Sequence, residues 1–154
     1  MKVRCVTKRH AELPLTDERH LAYWKWWFGS GPANTLERSG PLVGSICAVH
    51  ALYMTDGYGL YLLRYPYRSG RDIRFMPAPC FEIVDDRLSS HWKIKERVVD
   101  QQDGSQQLKT TLAPPPLLDG TIWLERIIDG YAPDFDTSNE LADAMDREAG
   151  LPAE

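Results

Sequence analysis

A chain of 154 residues with 43% hydrophobic content is large enough for one core and too small for two. Its longest apolar stretches, Leu60 to Leu63 and Ile46 to Met54 with His50 inside it, fall far short of the roughly 20 residues that a membrane span requires. The net charge of −4 conceals a segregation: from Asp119 onward 10 acids stand against Arg126 and Arg147 alone, while the preceding residues are net basic.

The N-terminal Met1-Lys2-Val3-Arg4-Cys5 runs into Lys8, Arg9 and His10 where a signal peptide would need its apolar core, so the expected location is the cytoplasm. Residues 2 to 8 are rich in β-branched types and read as a first strand. Thr16 then caps a helix over 17 to 28 that carries Asp17 and Glu18 in its first turn, with Leu21, Trp24 and Phe28 at helical spacing. Gly29, Gly31 and Pro32 end it, and the turn-rich stretch to residue 42 reads as a loop. Residues 43 to 55 and 58 to 65 form a hairpin about Asp56-Gly57. Short strands follow at 72 to 76 and 81 to 85, separated by Pro77-Ala78-Pro79. Residues 88 to 92 suggest a single helical turn, and 93 to 99 with 107 to 112 a second hairpin about Gly104. Pro114, Pro115 and Pro116 stiffen the chain and close the β unit. Beyond them the spacing predicts helices over 120 to 129 and, capped by Ser138, over 138 to 148. The expected architecture is a β-rich α+β fold: a small, strongly bent antiparallel sheet or barrel over residues 1 to 118 with a helical insertion at 17 to 42, and an acidic helical extension over 119 to 154 packed on it.

The residues offer little for catalysis. His10, His20, His50 and His91 and the three cysteines show no pair at metal-ligand spacing, there is no phosphate-cradling glycine loop, and no serine sits in a G-x-S-x-G elbow. An odd set of cysteines among apolar neighbours, Cys5, Cys47 and Cys80, reads as reduced core thiols. Asp85 and Asp86 are adjacent on a strand and so face opposite ways; Cys47 and His50, three apart, do the same. No enzyme activity, metal or cofactor is expected.

Binding is better provided for. Tyr23-Trp24-Lys25-Trp26-Trp27-Phe28 holds more large aromatics than one helix face can bury, which nominates Tyr23 and Trp26 as contacts to a partner. The acidic end nominates Asp129, Asp134, Asp136, Glu140, Asp143 and Asp146 as a charged surface that mimics nucleic acid toward a basic protein. The same acidity disfavours nucleic acid itself as the partner.

The opening Val3-Arg4-Cys5-Val6, the Leu15-Thr16 step, Val43-Gly44 ahead of a strand and Phe81-Glu82-Ile83-Val84 resemble the pattern of small SH3-like barrel proteins of bacteria and their phages, over about half the chain. The resemblance implies an SH3-like barrel in which residues 17 to 42 are an insertion. In outline, a small acidic protein that elaborates an ordinary fold with helices of its own is also similar to immunity proteins of bacterial toxin systems, contact-dependent growth inhibition among them. The expected function is therefore an immunity protein that binds and neutralises a cognate basic toxin; the alternative is a nucleic-acid-binding or phage regulatory module that uses the positive barrel.

Overall fold

A largely apolar run before Asp56-Gly57 and a Leu- and Tyr-rich run after it make the hairpin on which the sheet is built. The computed structural model describes residues 1–8, 40–55, 58–67, 70–101, 103–118 and 132–152. In it β1 (Lys2–Cys5) is followed by β2 (Ile46–Thr55), β3 (Tyr58–Tyr67) and β4 (Gly70–Pro77); a 3-10 turn at Ala78–Cys80 leads to β5 (Phe81–Asp85), β6 (Lys93–Asp100), β7 (Gln106–Ala113), α1 (Pro115–Leu118) and α2 (Ala132–Glu148). Thr55 pairs with Tyr58, as a two-residue connection demands.

The strands form one antiparallel sheet that forks at β2. Along one side β2 pairs with β3, and β3 with β4. On its other side the first residues of β2 pair with β1, from Arg4 opposite Ile46 to Lys2 opposite Ala48. The last residues pair with β7, from Leu52 opposite Leu112 to Thr55 opposite Lys109. β5 extends the first branch from β1 and β6 the second from β7. The fork coincides with a register shift between Val49 and Ala51, so that His50 is the extra residue of a β-bulge. A bulge bends and twists its strand, which separates the two branches.

The β-rich α+β expectation holds, and the strand assignments fall close to the observed ones. Barrel closure does not: among the described residues β4, β5 and β6 each pair on one side only, and the sheet is open. The first strand stops at Cys5 instead of residue 8, because the N–H groups of Val6 and Thr7 both donate to the Cys80 carbonyl. β2 starts later than expected: Gly44, at φ 90°, sits in a turn in which the Ser45 N–H and Oγ both donate to the Leu42 carbonyl. Residues 88 to 92 hold a reverse turn closed by the Trp92 N–H on Ser89 O, at 3.1 Å. The proline run begins a helical turn, since Pro115 and Pro116 occupy first-turn positions whose N–H groups have no intrahelical acceptor. For the same reason Pro133 is accommodated in the first turn of α2, which starts at Ala132 and runs through Ser138. The helices expected over 17 to 28 and 120 to 129 lie outside the described residues.

Two apolar clusters result. The larger joins Val3, Cys5, Cys47, Val49, Leu63, Tyr65, Met76, Cys80 and Trp92 to Met145 of α2. The smaller joins Ala51, Leu62 and Ala113, with Ile73, Phe75, Leu117 and Leu118 packed against it. Leu63 is fully buried, whereas Leu108 is exposed. Leu63→Ala should cost about 3 kcal/mol in denaturant unfolding, against less than about 0.5 kcal/mol for Leu108→Ala.

Candidate functional site

The acidic helix is fixed to the sheet by its own carboxylates. Arg64 of β3 is 8% exposed, and its Nη2 donates to Asp143 Oδ1 at 2.5 Å and to Asp146 Oδ2. The other oxygen of Asp146 accepts from Nε2 of His50 at 3.0 Å. With a carboxylate as acceptor, the proton of that contact belongs to Nε2. The bulge carries a second contact, since the indole Nε1 of Trp92 donates to the His50 carbonyl at 3.0 Å. Two residues further along α2, Glu148 accepts from Ser89 Oγ at 2.5 Å and from the Ser90 N–H at 2.8 Å, which ties down the β5–β6 connection. Gly150, at φ 70°, then ends the helix: its N–H donates to Arg147 O and that of Leu151 to Asp146 O, a Schellman arrangement.

These contacts set the acidities. Burial works to raise the Asp146 pKa, but the hydrogen bonds and charges of His50 and Arg64 outweigh it and hold the carboxyl below its ordinary value. Glu148 is likewise opposed by desolvation and carried down to about 2 by Ser89 and Ser90.

Of the residues nominated for partner binding, Tyr23, Trp26 and Asp129 lie outside the described residues, as do the side chains of Asp134 and Asp136 on α2. Glu140 is exposed on α2. Asp143 and Asp146 meet at Arg64, and Asp146 is buried there, turned away from solvent. Sequence reasoning did not nominate Arg64: a single arginine within an apolar strand carries no signal of its partners.

Other candidates are occupied structurally. Cys47 and Cys80 are buried thiols, pushed up by desolvation to about 11 and about 12, so both are protonated at neutral pH. Cys47 precedes the bulge and His50 is its extra residue, so strict alternation fails between them, and His50 directs its Nε2 to Asp146. Asp85 is held well below the usual carboxylate range by Arg87, which donates from its backbone and guanidinium, and by Lys2 at 3.4 Å. Among the described residues no cluster of His, Cys, Asp and Glu has the makings of a metal site, and no helix is long and apolar enough to cross a membrane.

The β6–β7 branch is the more distinctive surface. In β6 the residues alternate Lys93, Ile94, Lys95, Glu96, Arg97, Val98, and cross-strand pairing sorts them by face. One face carries Ile94, 65% exposed, Val98, 60% exposed and opposite Leu108, and continues to Met54 of β2 beside Thr110. The other carries Lys95 opposite Thr111 and Arg97 opposite Lys109, and continues through Tyr53 of β2 to Leu60 of β3. There a groove of about 250 Å³ is floored by Ala51, Tyr53, Leu60 and Phe75 and walled by Leu117 and Leu118. Tyr53 and Phe75 pack tilted, with centroids 6.4 Å apart.

No family model matches this sequence, and no similar curated protein or solved structure was found.

The anchor gives a pH signature. Carboxylates whose pKa is depressed by folding stabilise above their unfolded values and lose that contribution as pH falls through the folded ones. Thermal stability should therefore decline between pH 4.5, the ordinary value for Glu148, and about 2. Glu148→Gln and Asp146→Asn should each flatten this decline. At neutral pH Arg64→Met, which leaves two carboxylates beside an apolar side chain, should cost about 3 kcal/mol in denaturant unfolding.

Proposed function

We propose that this protein acts by binding another protein, as an immunity protein that occludes a cognate basic toxin, of the kind deployed in contact-dependent growth inhibition. The observation that supports the reading is the exposed apolar row Ile94, Val98, Leu108 and Met54 on one face of an open sheet branch. Large aliphatic side chains grouped beside an edge of β6 that no described strand pairs are an aggregation liability unless a partner covers them. An interface built on them has an apolar centre, and Glu96 and Thr110 between them supply polar contacts.

The acidic end supplies steering in this reading, with its roles divided. Asp143 and Asp146 hold α2 in place. The long-range attraction for a basic partner rests on Asp129, Asp134, Asp136 and Glu140, and the aromatic contacts on Tyr23 and Trp26. A non-catalytic role in the cytoplasm and a place among SH3-like proteins belong to the same proposal. In support of the latter, the opening and closing segments of that pattern lie side by side, Val3 opposite Ile83 and Cys5 opposite Phe81.

A pull-down from the native host should return a basic protein encoded beside this gene; nucleic acid without protein would overturn the reading. In surface plasmon resonance against that protein, Val98→Lys with Leu108→Lys should speed dissociation about tenfold or more. Asp134→Asn, Asp136→Asn and Glu140→Gln together should instead slow association at low salt and matter little near about 0.5 M, where the Debye length is only about 4 Å. Toxin binding at unchanged rates by both variants would place the interface elsewhere.

A further inference from the structure

On the outer side of β6, backbone and side-chain recognition groups fall on the same three residues. The Gln101 N–H donates to Ser105 O at 2.8 Å, and carrying the β6–β7 register back from that bond directs the backbone N–H and C=O of Val99, Arg97 and Lys95 toward β7. The backbone groups of Ile94, Glu96 and Val98 then point the other way, where no described strand lies. Their side chains share one face of the sheet. Ile94 and Val98 are exposed aliphatics, and Glu96 between them accepts, among the described residues, a long hydrogen bond from Thr110 Oγ1 at 3.4 Å. β6 is exposed from Lys93 to Val98, pairs with β7 without a register shift and holds no proline. The bulges and prolines that blunt a sheet edge are therefore absent from it, and its charges alone select what can pair there. A second copy of the chain does not fit. Brought up by a two-fold axis, its β6 runs antiparallel to the first, and the register that sets Ile94 against Val98 at both ends also sets Glu96 against Glu96. Like charges in directly opposed positions destabilise a strand pair. A shift of two residues either way places Glu96 opposite Val98 or Ile94 and loses the aliphatic contacts.

We infer that β6 receives an extended segment of its protein partner as an added antiparallel strand, with an aliphatic residue opposite Ile94, a lysine or arginine opposite Glu96 and an aliphatic residue opposite Val98. Main-chain hydrogen bonds to Ile94, Glu96 and Val98 supply affinity, and the three side-chain pairs fix the register. A one-residue slip turns the aliphatics of the incoming strand to the other face, away from Ile94 and Val98. The central cation is the charge complement of Glu96 and is what a basic partner has to offer. This deepens the immunity reading, and rests on it for the source of the strand: the aliphatics of the incoming segment continue the row of Ile94, Val98 and Leu108 outward from the edge.

The test uses the full chain and, as the strand, the end-capped peptide Thr-Val-Thr-Lys-Thr-Val-Thr. Amide exchange followed by nuclear magnetic resonance should be fast at Ile94, Glu96 and Val98 in the free chain and slow by about tenfold or more with saturating peptide. Lys95 and Arg97, already bonded to β7, should change little. Methylating the backbone nitrogen of the central lysine should weaken binding about tenfold, and methylating that of a neighbouring threonine, which faces away from β6, should have a much smaller effect. A peptide with glutamate at the centre should bind about fivefold more weakly, and Glu96→Lys should reverse the preference. Val98→Pro is tolerated by an edge strand whose N–H faces outward, and it should abolish binding of both peptides. The proposal fails if the peptide protects none of the three amides, if the two peptides bind alike, or if Glu96→Lys leaves their order unchanged. Protection of the three amides in the free chain, together with a dimer in sedimentation, would assign the edge to a second copy. Toxin binding undiminished by Val98→Pro would overturn the added strand and leave the immunity reading standing. Peptide binding with no toxin recovered from the host would overturn that reading and support the strand site.

Discussion

Arg64 is a full charge placed inside a β-sheet protein, and the arrangement of α2 follows from that placement. Taking a guanidinium out of water costs several kcal/mol unless carboxylates meet it in good geometry. Asp143 and Asp146, three residues apart on α2, present their carboxylates to one terminal nitrogen, and His50 occupies the remaining oxygen of Asp146. Against an apolar packing of equal volume such a cluster adds little net stability. Its effect is selective: any other placement of α2 leaves Arg64 buried without a counter-charge. The helix is thereby restricted to one seat, with Met145 in the larger core and Glu148 over Ser89 and Ser90.

The same cluster explains how carboxylates are tolerated in the last turns of α2, where the helix dipole opposes them. Asp143, Asp146 and Glu148 each have a donor from outside the helix, so their charge is compensated by the sheet and the β5–β6 connection. The segregation of acids toward the end of the chain and of bases toward its beginning is in this part an intramolecular complementarity.

The bulge at His50 links the anchor to the two-faced branch. It places the imidazole at the junction where β1 leaves β2 and β7 joins it. Among the described residues, the second branch, bearing β6 on its outside, is supported on its cationic face by the short α1 and on its apolar face where Leu52 and Leu112 reach the larger core. Two surfaces of opposite character on one layer follow directly from strand alternation, which sends successive side chains to opposite faces.

Local chemistry made most of the sheet legible from the sequence alone. Apolar and β-prone runs between turn residues identified β2, β3, β6 and β7, and Asp56-Gly57 and Gly104 marked the connections, because turn preferences act over a few residues. The alternation of Lys93 to Val98 also held both faces of β6 in plain view, one basic and one aliphatic. The reduced thiols were readable for the same reason. What tertiary structure alone decided was closure, pairing and the fate of charge. The open fork depends on a bulge that no residue type signals, and the start of α2 at Ala132 on a proline seated in a first turn. The roles of Asp143 and Asp146 turn on Arg64, about 80 residues away in the chain. A carboxylate reads the same in sequence whether it faces water or a buried arginine, and only the packing of distant segments separates the two.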